Sequence, residues 1–227
     1  MKASVIAIPN HAVSQKAALS CIKSSKDVGN TFDIHQFEAI TPDRVDDMMK
    51  AEGIEWNYPW QGEVLDFSTG LKKSAYRTAN PKARIACALS HYSLWKLCAA
   101  DDVPYLILEH DAKFIKKFER PKTKYAIFGI NNPIGATRRS RQFKEGIVGN
   151  DPVVPVPWVD DRNVPQGLAG NSAYIIKPRG AKTMLKLVNE YGLWPNDSLM
   201  CKQLIPALGV TTTFYTTIQG TPSTTAD

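Results

Sequence analysis

The segment Tyr105-Leu106-Ile107-Leu108-Glu109-His110-Asp111 sets an apolar run directly before two carboxylates separated by one residue. From Pro104 to Leu108 the run is continuously apolar, the pattern of a strand buried on both faces. In an open α/β sheet the carboxyl ends of the strands are where ligands bind. Carboxylates at i and i+2 can grip one hard divalent cation, Mn²⁺ or Mg²⁺, which shares its coordination with diphosphate oxygens. Such an ion offsets charge building on a nucleoside-diphosphate leaving group. The plainer meaning of Glu109 and Asp111 is an acidic loop after a strand.

Other residues carry chemistry only in combination. Asp197 follows Trp194-Pro195-Asn196 at the mouth of a helix expected to run through Leu204. It is either a general base or the cap of that helix. His91 lies on a helix expected over Ala83 to Cys98, where it contacts a ligand phosphate, holds the Glu109 loop, or is a satisfied core histidine. Ser90 carries the same alternatives. Asn10 ends the first strand, and Glu38 and Ala39 end the second, positions suited to a nucleobase or ribose. Trp56, Tyr58 and Trp60 stack on a sugar or a base, or pack under a loop. Arg138, Arg139, Arg141 and Lys144 form one basic cluster, and Lys113, Lys116, Lys117, Arg120, Lys122 and Lys124 another. Both follow strands expected to point toward the active edge; they hold phosphates or form a solvated face.

The elements that must position these residues alternate. Ser4 to Ile8 reads as a strand, Ser14 as the cap of a helix, and Phe32 to His35 as a second strand that Phe37 extends. Thr41-Pro42-Asp43 opens another helix, with the hydroxyl at the cap and proline at the first helical position. Ile85, Ala88, Leu89, Tyr92 and Trp95 keep helical spacing. Tyr125 to Ile130 is a buried strand, and the stretch from Asn131 to Asp151 is loop-rich. Val153 to Val159 is interrupted by prolines, which confines it to a sheet edge. Ala173 to Ile176 is a short strand, Pro178-Arg179-Gly180 opens a helix to about Tyr191, and Thr211 to Ile218 is β-rich. This order predicts an α/β fold with a central, mostly parallel sheet.

The chain has 227 residues, 43% of them hydrophobic and 22% charged. That is ordinary globular composition and excludes wholesale disorder or a collagen-like protein. It accommodates one core, expected as a single domain over residues 1–219 with a loose tail over 220–227. No apolar run reaches the length of a membrane span. The apolar N-terminal stretch is too short for a signal-peptide core, so a cytoplasmic protein is expected. The formal charge of +6 favours a polyanionic partner or substrate. Nothing points to a protein partner. The cysteines, Cys21, Cys87, Cys98 and Cys201, lack metal-finger spacing and read as free, mostly buried thiols.

Two blocks together resemble glycosyltransferase family 25, the lipooligosaccharide and collagen galactosyltransferases. Its members show a Gly-Cys-x-x-Ser-His-x-x-x-Trp helix, then a strand ending Leu-Glu-Asp-Asp. Here Cys87, Ser90, His91 and Trp95 match, with Ala86 in place of glycine; Glu109 and Asp111 match the outer carboxylates, and His110 replaces the middle one. The second block, Gly170-Asn171-Ser172-Ala173-Tyr174 through Gly180-Ala181, then Pro195-Asn196-Asp197, follows the family's Gly-x-x-x-Tyr-x-x-x-x-x-Gly-Ala and Pro-x-Asp pattern. The arginine-rich turn after the family's first strand is replaced by Asn10 to Lys16.

The resemblance implies a Rossmann-like nucleotide-sugar-binding domain of the GT-A type and a metal-dependent transfer with inversion at the sugar carbon. It favours Asp197 as base over Asp197 as cap, assigns Glu109 and Asp111 to Mn²⁺ or Mg²⁺, and places His110 and Asn171 with the donor. Short length, basic loops and the tryptophan-rich segment look like the small bacteriophage transferases that glycosylate 5-hydroxymethylcytosine. Double-stranded DNA is therefore the expected acceptor, gripped by Arg138 to Lys144 with the target base turned out. The alternatives are a surface oligosaccharide acceptor and a non-catalytic binding protein on the same scaffold.

Overall fold

The computed structural model of the chain describes residues 1–221. The expected tail from 220 lies almost wholly outside the described residues. The first half contains β1 (Lys2–Ala7), α1 (Ala12–Asp27), β2 (His35–Glu38), a 3₁₀ turn over Pro42–Arg44, α2 (Val45–Glu52), β3 (Glu63–Asp66), β4 (Leu71–Ser74) and α3 (Pro81–Asp101). Then come β5 (Tyr105–Glu109), β6 (Ala112–Phe114), β7 (Ile127–Gly129), α4 (Ser140–Glu145) and β8 (Val153–Pro155). The chain continues through β9 (Ala173–Ile176), α5 (Pro178–Tyr191), α6 (Asn196–Leu199), β10 (Leu208–Thr211) and β11 (Thr216–Ile218).

Seven strands form one sheet in the order β2-β1-β5-β9-β7-β10-β8. Pairing is parallel for β2-β1, β1-β5 and β7-β10, and antiparallel for β5-β9, β9-β7 and β10-β8. Only β9 and β8 therefore run against the common direction, and the expected mostly parallel α/β sheet is present. Strand alternation splits its side chains into two apolar layers. Tyr105, Ile107, Tyr174 and Ile176 join the layer under α3 and α5. Leu106, Leu108, Ala173 and Ile175 join the layer under α1 and β6. This double burial is why the strand before Glu109 is apolar without a break.

The helices follow from local chemistry. Asn80 caps α3 by accepting from the Ala83 amide at 3.3 Å, and Pro81 occupies the first turn. On α5, Pro178 opens the helix and Gly180, Ala181, Met184, Leu187 and Val188 form the buried stripe. A methyl at Gly180 would stand 2.7 Å from Ile127 Cγ1 and 2.8 Å from the Ala126 carbonyl, so only glycine lets α5 lie this close to β7.

Several expected boundaries move. His11, not Ser14, caps α1, its Nδ1 accepting from the Ser14 amide at 3.2 Å. Thr41 makes no side-chain cap bond. Phe32 leaves the second strand because it packs edge-on against Phe114 and Phe118, and β2 begins at His35. The expected loop after Asn131 contains α4, anchored by buried Phe143. The helix expected through Leu204 stops at Leu199 because the chain beyond it joins Gln166 and Gly167: Gly167 bridges Cys201, and the Lys202 amide donates to the Gln166 carbonyl at 3.0 Å.

Candidate active site

The strand directions bring Asn10, Glu38, Glu109, His110 and Asp111 to the carboxyl edge of the parallel strands. Antiparallel β9 starts at that same edge, which adds Asn171. The Glu109 amide donates to the Ser172 carbonyl at 2.8 Å, fixing the two segments side by side. Left-handed backbone at Asn10 (φ 56°) turns the chain sharply from β1 into α1. A cavity of about 470 Å³ opens there, lined by residues including Pro9, Asn10, Gln15, Gln36 and Glu38. Ala39 itself is buried, its amide bonded to the Ala7 carbonyl.

Glu109 shares the parity of Tyr105 and Ile107 and so faces α3. There its Oε1 lies 3.2 Å from His91 Nε2. His91 Nδ1 is 2.8 Å from the Tyr174 hydroxyl, which also accepts from Trp95 Nε1 at 2.9 Å. Burial works to raise the pKa of Glu109, but the His91 contact outweighs it and holds the group below its usual value. Asp111 moves the other way: burial, then the charge of Glu109, pushes it up to about 7. Its Oδ1 is buried without a hydrogen-bond partner. Asn171, 4% exposed, has neither amide atom partnered. Burial also lowers the pKa of His110, helped by nearby His11 and opposed by Glu109.

Asp197 sits in the first turn of α6, behind Pro195 at the cap position. Its Oδ2 accepts from the Tyr76 hydroxyl at 3.0 Å. Ser198 Oγ lies 2.9 Å from the Tyr76 hydroxyl and 3.2 Å from that of Tyr58, whose hydroxyl also donates to the Ser74 carbonyl. Burial raises the pKa of Asp197, opposed by the Tyr76 bond and by Arg84, which stacks on the Tyr76 ring at 4.7 Å. Cys87 links the two acidic groups. Burial raises its thiol pKa, and the charges of Glu109 and Asp197 raise it further. Its Sγ also reaches Asn196 Oδ1 at 3.8 Å. Arg84, Cys87 and His91 lie one turn apart on α3, so a single helix face spans both carboxylate groups.

Other expected residues stand differently. Ser90 is buried, donating to the Ala86 carbonyl and accepting from the Ile40 amide. Tyr58 is core, while Trp56 and Trp60 stack on each other with centroids 5.0 Å apart. Trp56 lines a second cavity, about 440 Å³, with Asn57, Tyr92 and Tyr191. Arg138, Arg139, Arg141 and Lys144 are exposed beyond β7 at the carboxyl edge, and Arg139 pairs with Asp160 at 3.1 Å. The other basic cluster does not stay at that edge. Lys122 and Lys124 precede β7 at the opposite end, where Lys177 and Arg179 bond the Thr123 and Lys124 carbonyls.

Sequence reasoning passed over Tyr76, Ser198 and Arg84. Tyr76 lies in an irregular segment with no periodic signal. Arg84 opens the α3 face that carries Cys87 and His91, a spacing that could have marked it.

This is an α/β fold with acidic groups gathered at the carboxyl edge of its sheet. The family model of glycosyltransferase family 25, described as an LPS biosynthesis protein, matches residues 13–128. The chain belongs to that family. No curated protein sequence matches it. Among solved structures it is similar to galactosyltransferase LgtC in complex with donor and acceptor sugar analogs, at 12% identity and a TM-score of 0.43, covering 92% of this chain and 73% of that one. An active-site mutant of LgtC is similar at 12% identity and a TM-score of 0.47, covering 98% of this chain and 88% of that one. Among the described residues, no helix is long and apolar enough to cross a membrane.

Proposed function

We propose that this family 25 glycosyltransferase moves a sugar, with inversion, from a nucleotide-sugar donor to a hydroxyl of a surface oligosaccharide. The observation that carries the reading is the unpartnered, buried Asp111 Oδ1 beside Glu109, at the edge where Asn171 also lacks partners. Buried polar atoms are nearly always satisfied in a folded protein, so groups left open in one place suit a ligand.

The donor set at this place is hard oxygen, which fits Mn²⁺ or Mg²⁺. Glu109 and Asp111 would hold such an ion, and its charge would stabilise the departing diphosphate. Asn171 offers its amide to donor oxygens. The cavity at Asn10 and Glu38 receives the nucleoside end. Asp197 takes the proton of the acceptor hydroxyl while that oxygen attacks the anomeric carbon. The bond from that carbon to the diphosphate breaks, and its electron pair leaves with the diphosphate. Tyr76 keeps Asp197 Oδ2 occupied, which leaves Oδ1 to take the proton.

The family's LPS description supports a glycan acceptor. The comparisons lend no support to DNA. The exposed Arg138, Arg141 and Lys144 suit phosphorylated sugars as well as they suit a phosphodiester backbone. The test is mass spectrometry after incubation with a panel of nucleotide sugars and Mn²⁺ or Mg²⁺, offering truncated lipooligosaccharide in one arm and hydroxymethylated duplex DNA in the other. A hexose-sized gain on the glycan alone supports the reading, and a gain on DNA alone overturns its acceptor. No transfer in either arm, with donor binding intact, leaves the binding-protein alternative standing.

A further inference from the structure

We propose that Trp95 and Tyr174 are positioning residues that decide which nitrogen of His91 carries its hydrogen, so that Nε2–H clamps one oxygen of Glu109 and leaves the other for ligand. The purpose of the clamp rests on the cation-holding reading of Glu109; the clamp itself does not.

The direction of the chain is set at its far end. An indole N–H only donates. Trp95 Nε1 therefore gives its hydrogen to the Tyr174 oxygen, 2.9 Å away. The Tyr174 hydroxyl has one hydrogen of its own, and its other partner among the described residues is His91 Nδ1 at 2.8 Å. Trp95, Tyr174 and His91 are all fully buried, so water is not available as a substitute acceptor. The Tyr174 hydrogen then points at Nδ1, which must receive it through a lone pair. The imidazole hydrogen is left on Nε2, 3.2 Å from Glu109 Oε1.

The opposite arrangement fails twice. A hydrogen on Nδ1 would place two donors on the Tyr174 oxygen and leave the Tyr174 hydrogen without an acceptor. It would also turn the Nε2 lone pair toward a carboxylate oxygen. Only the imidazole with its hydrogen on Nε2 satisfies all four groups.

This has a consequence for metal chemistry. Cys87, His91 and Glu109 each offer a ligand atom, and these lie within 4.8 Å of one another. That trio resembles a site for a thiophilic ion. A nitrogen that carries hydrogen and donates it has no lone pair for a metal, so the chain reserves the place for Glu109 and hard oxygen chemistry. The fold supplies the alignment. His91 and Trp95 are one turn apart on α3, and Tyr174 stands opposite Ile107 in the β5-β9 register, two residues before Glu109.

The full-length protein with ¹⁵N-labelled histidine rings tests the proposal by two-bond ¹H–¹⁵N correlation. The expected spectrum contains a neutral ring with hydrogen on Nε2 that disappears in His91→Gln. In Trp95→Phe the competing donor to the Tyr174 oxygen is gone while Glu109 still favours Nε2–H, so Nε2–H should remain dominant and a minor Nδ1–H population should emerge. An Nδ1–H pattern for His91 in the unaltered protein overturns the proposal, whether or not the variants fold. Mn²⁺ uptake, followed by electron paramagnetic resonance, tests the clamp's purpose. His91→Ala should bind Mn²⁺ at least about tenfold more weakly. His91→Gln, whose amide N–H takes the place of Nε2–H, should restore it. Equal weakening in both overturns the positioning role. If the unaltered protein takes up no Mn²⁺, the cation reading falls, while the ring spectrum still decides the chain.

Discussion

The hydroxyl of Tyr76 donates to Asp197 Oδ2 across 3.0 Å, tying the irregular segment before α3 to the first turn of α6. Two opposing influences meet at this carboxyl. Burial raises its pKa, while Tyr76 and the charge of Arg84 pull it down. A general base works best when its pKa approaches the working pH. Asp197→Asn should lower turnover by about 10²- to 10⁴-fold and leave donor binding intact, measured by single-turnover kinetics beside calorimetry. Tyr76→Phe removes a bond that favours the carboxylate. The acid limb of kcat/KM should then move to higher pH, because the base stays protonated further up the scale. An unmoved limb would show that Asp197 is not the titrating base.

Gly167 is the second determinant of where Asp197 stands. A methyl there would lie 2.4 Å from the Asp197 carbonyl oxygen and 3.0 Å from that of Met200. Both are backbone atoms, so α6 itself would have to move. Gly167→Ala should cost about 1–3 kcal/mol of stability in a denaturant titration. Turnover should fall more than donor affinity does. A variant with ordinary turnover would separate the α6 position from catalysis.

Glu109 and Asp111 make a prediction about ligands. Asp111→Asn removes charge from the orphaned oxygen, and Glu109→Gln removes it from the group His91 holds. Each variant should lose Mn²⁺ binding by calorimetry, and chelation of the unaltered protein should abolish transfer. Full activity in a chelator would leave the pair with no cation to hold.

Away from the site, the β3-β4 hairpin holds an ion pair that should show in acid. Asp66 Oδ2 and Lys73 Nζ are 3.0 Å apart, with side chains 9% and 4% exposed. Lys73 also lies over the Trp194 ring at 4.4 Å and donates to the Asn57 carbonyl. Burial pushes Asp66 up, but Ser68 and Lys73 outweigh it, and its folded pKa ends below the ordinary value. The pair's contribution is therefore complete above the unfolded carboxylate value, about 3.9, and is lost as pH falls through the lower folded value. Lys73→Met should cost about 3 kcal/mol at neutral pH and flatten that acid dependence in urea titrations. An unchanged slope between pH 3 and 5, on the order of the carboxylate range, would remove the pair from the acid response.

The amino-acid sequence alone carried the apolar strand before Glu109, the helix through His91 and Trp95, and the start of α5 at Pro178. Each rests on a local cause: burial on both faces of a strand, helical spacing, or a fixed proline φ. The same order of elements announced an α/β sheet and placed Glu109 and Asp111 at its edge. Tertiary structure alone decided the rest. Phe32 became a packing residue instead of a strand residue because Phe114 and Phe118 were there to meet it. α6 ended after one turn because Gly167 took the next residues into a bridge. Tyr76, far from Asp197 in the chain, became its hydrogen-bond donor. These outcomes depend on partners distant in sequence, and no periodicity or local propensity records which distant group a side chain will meet.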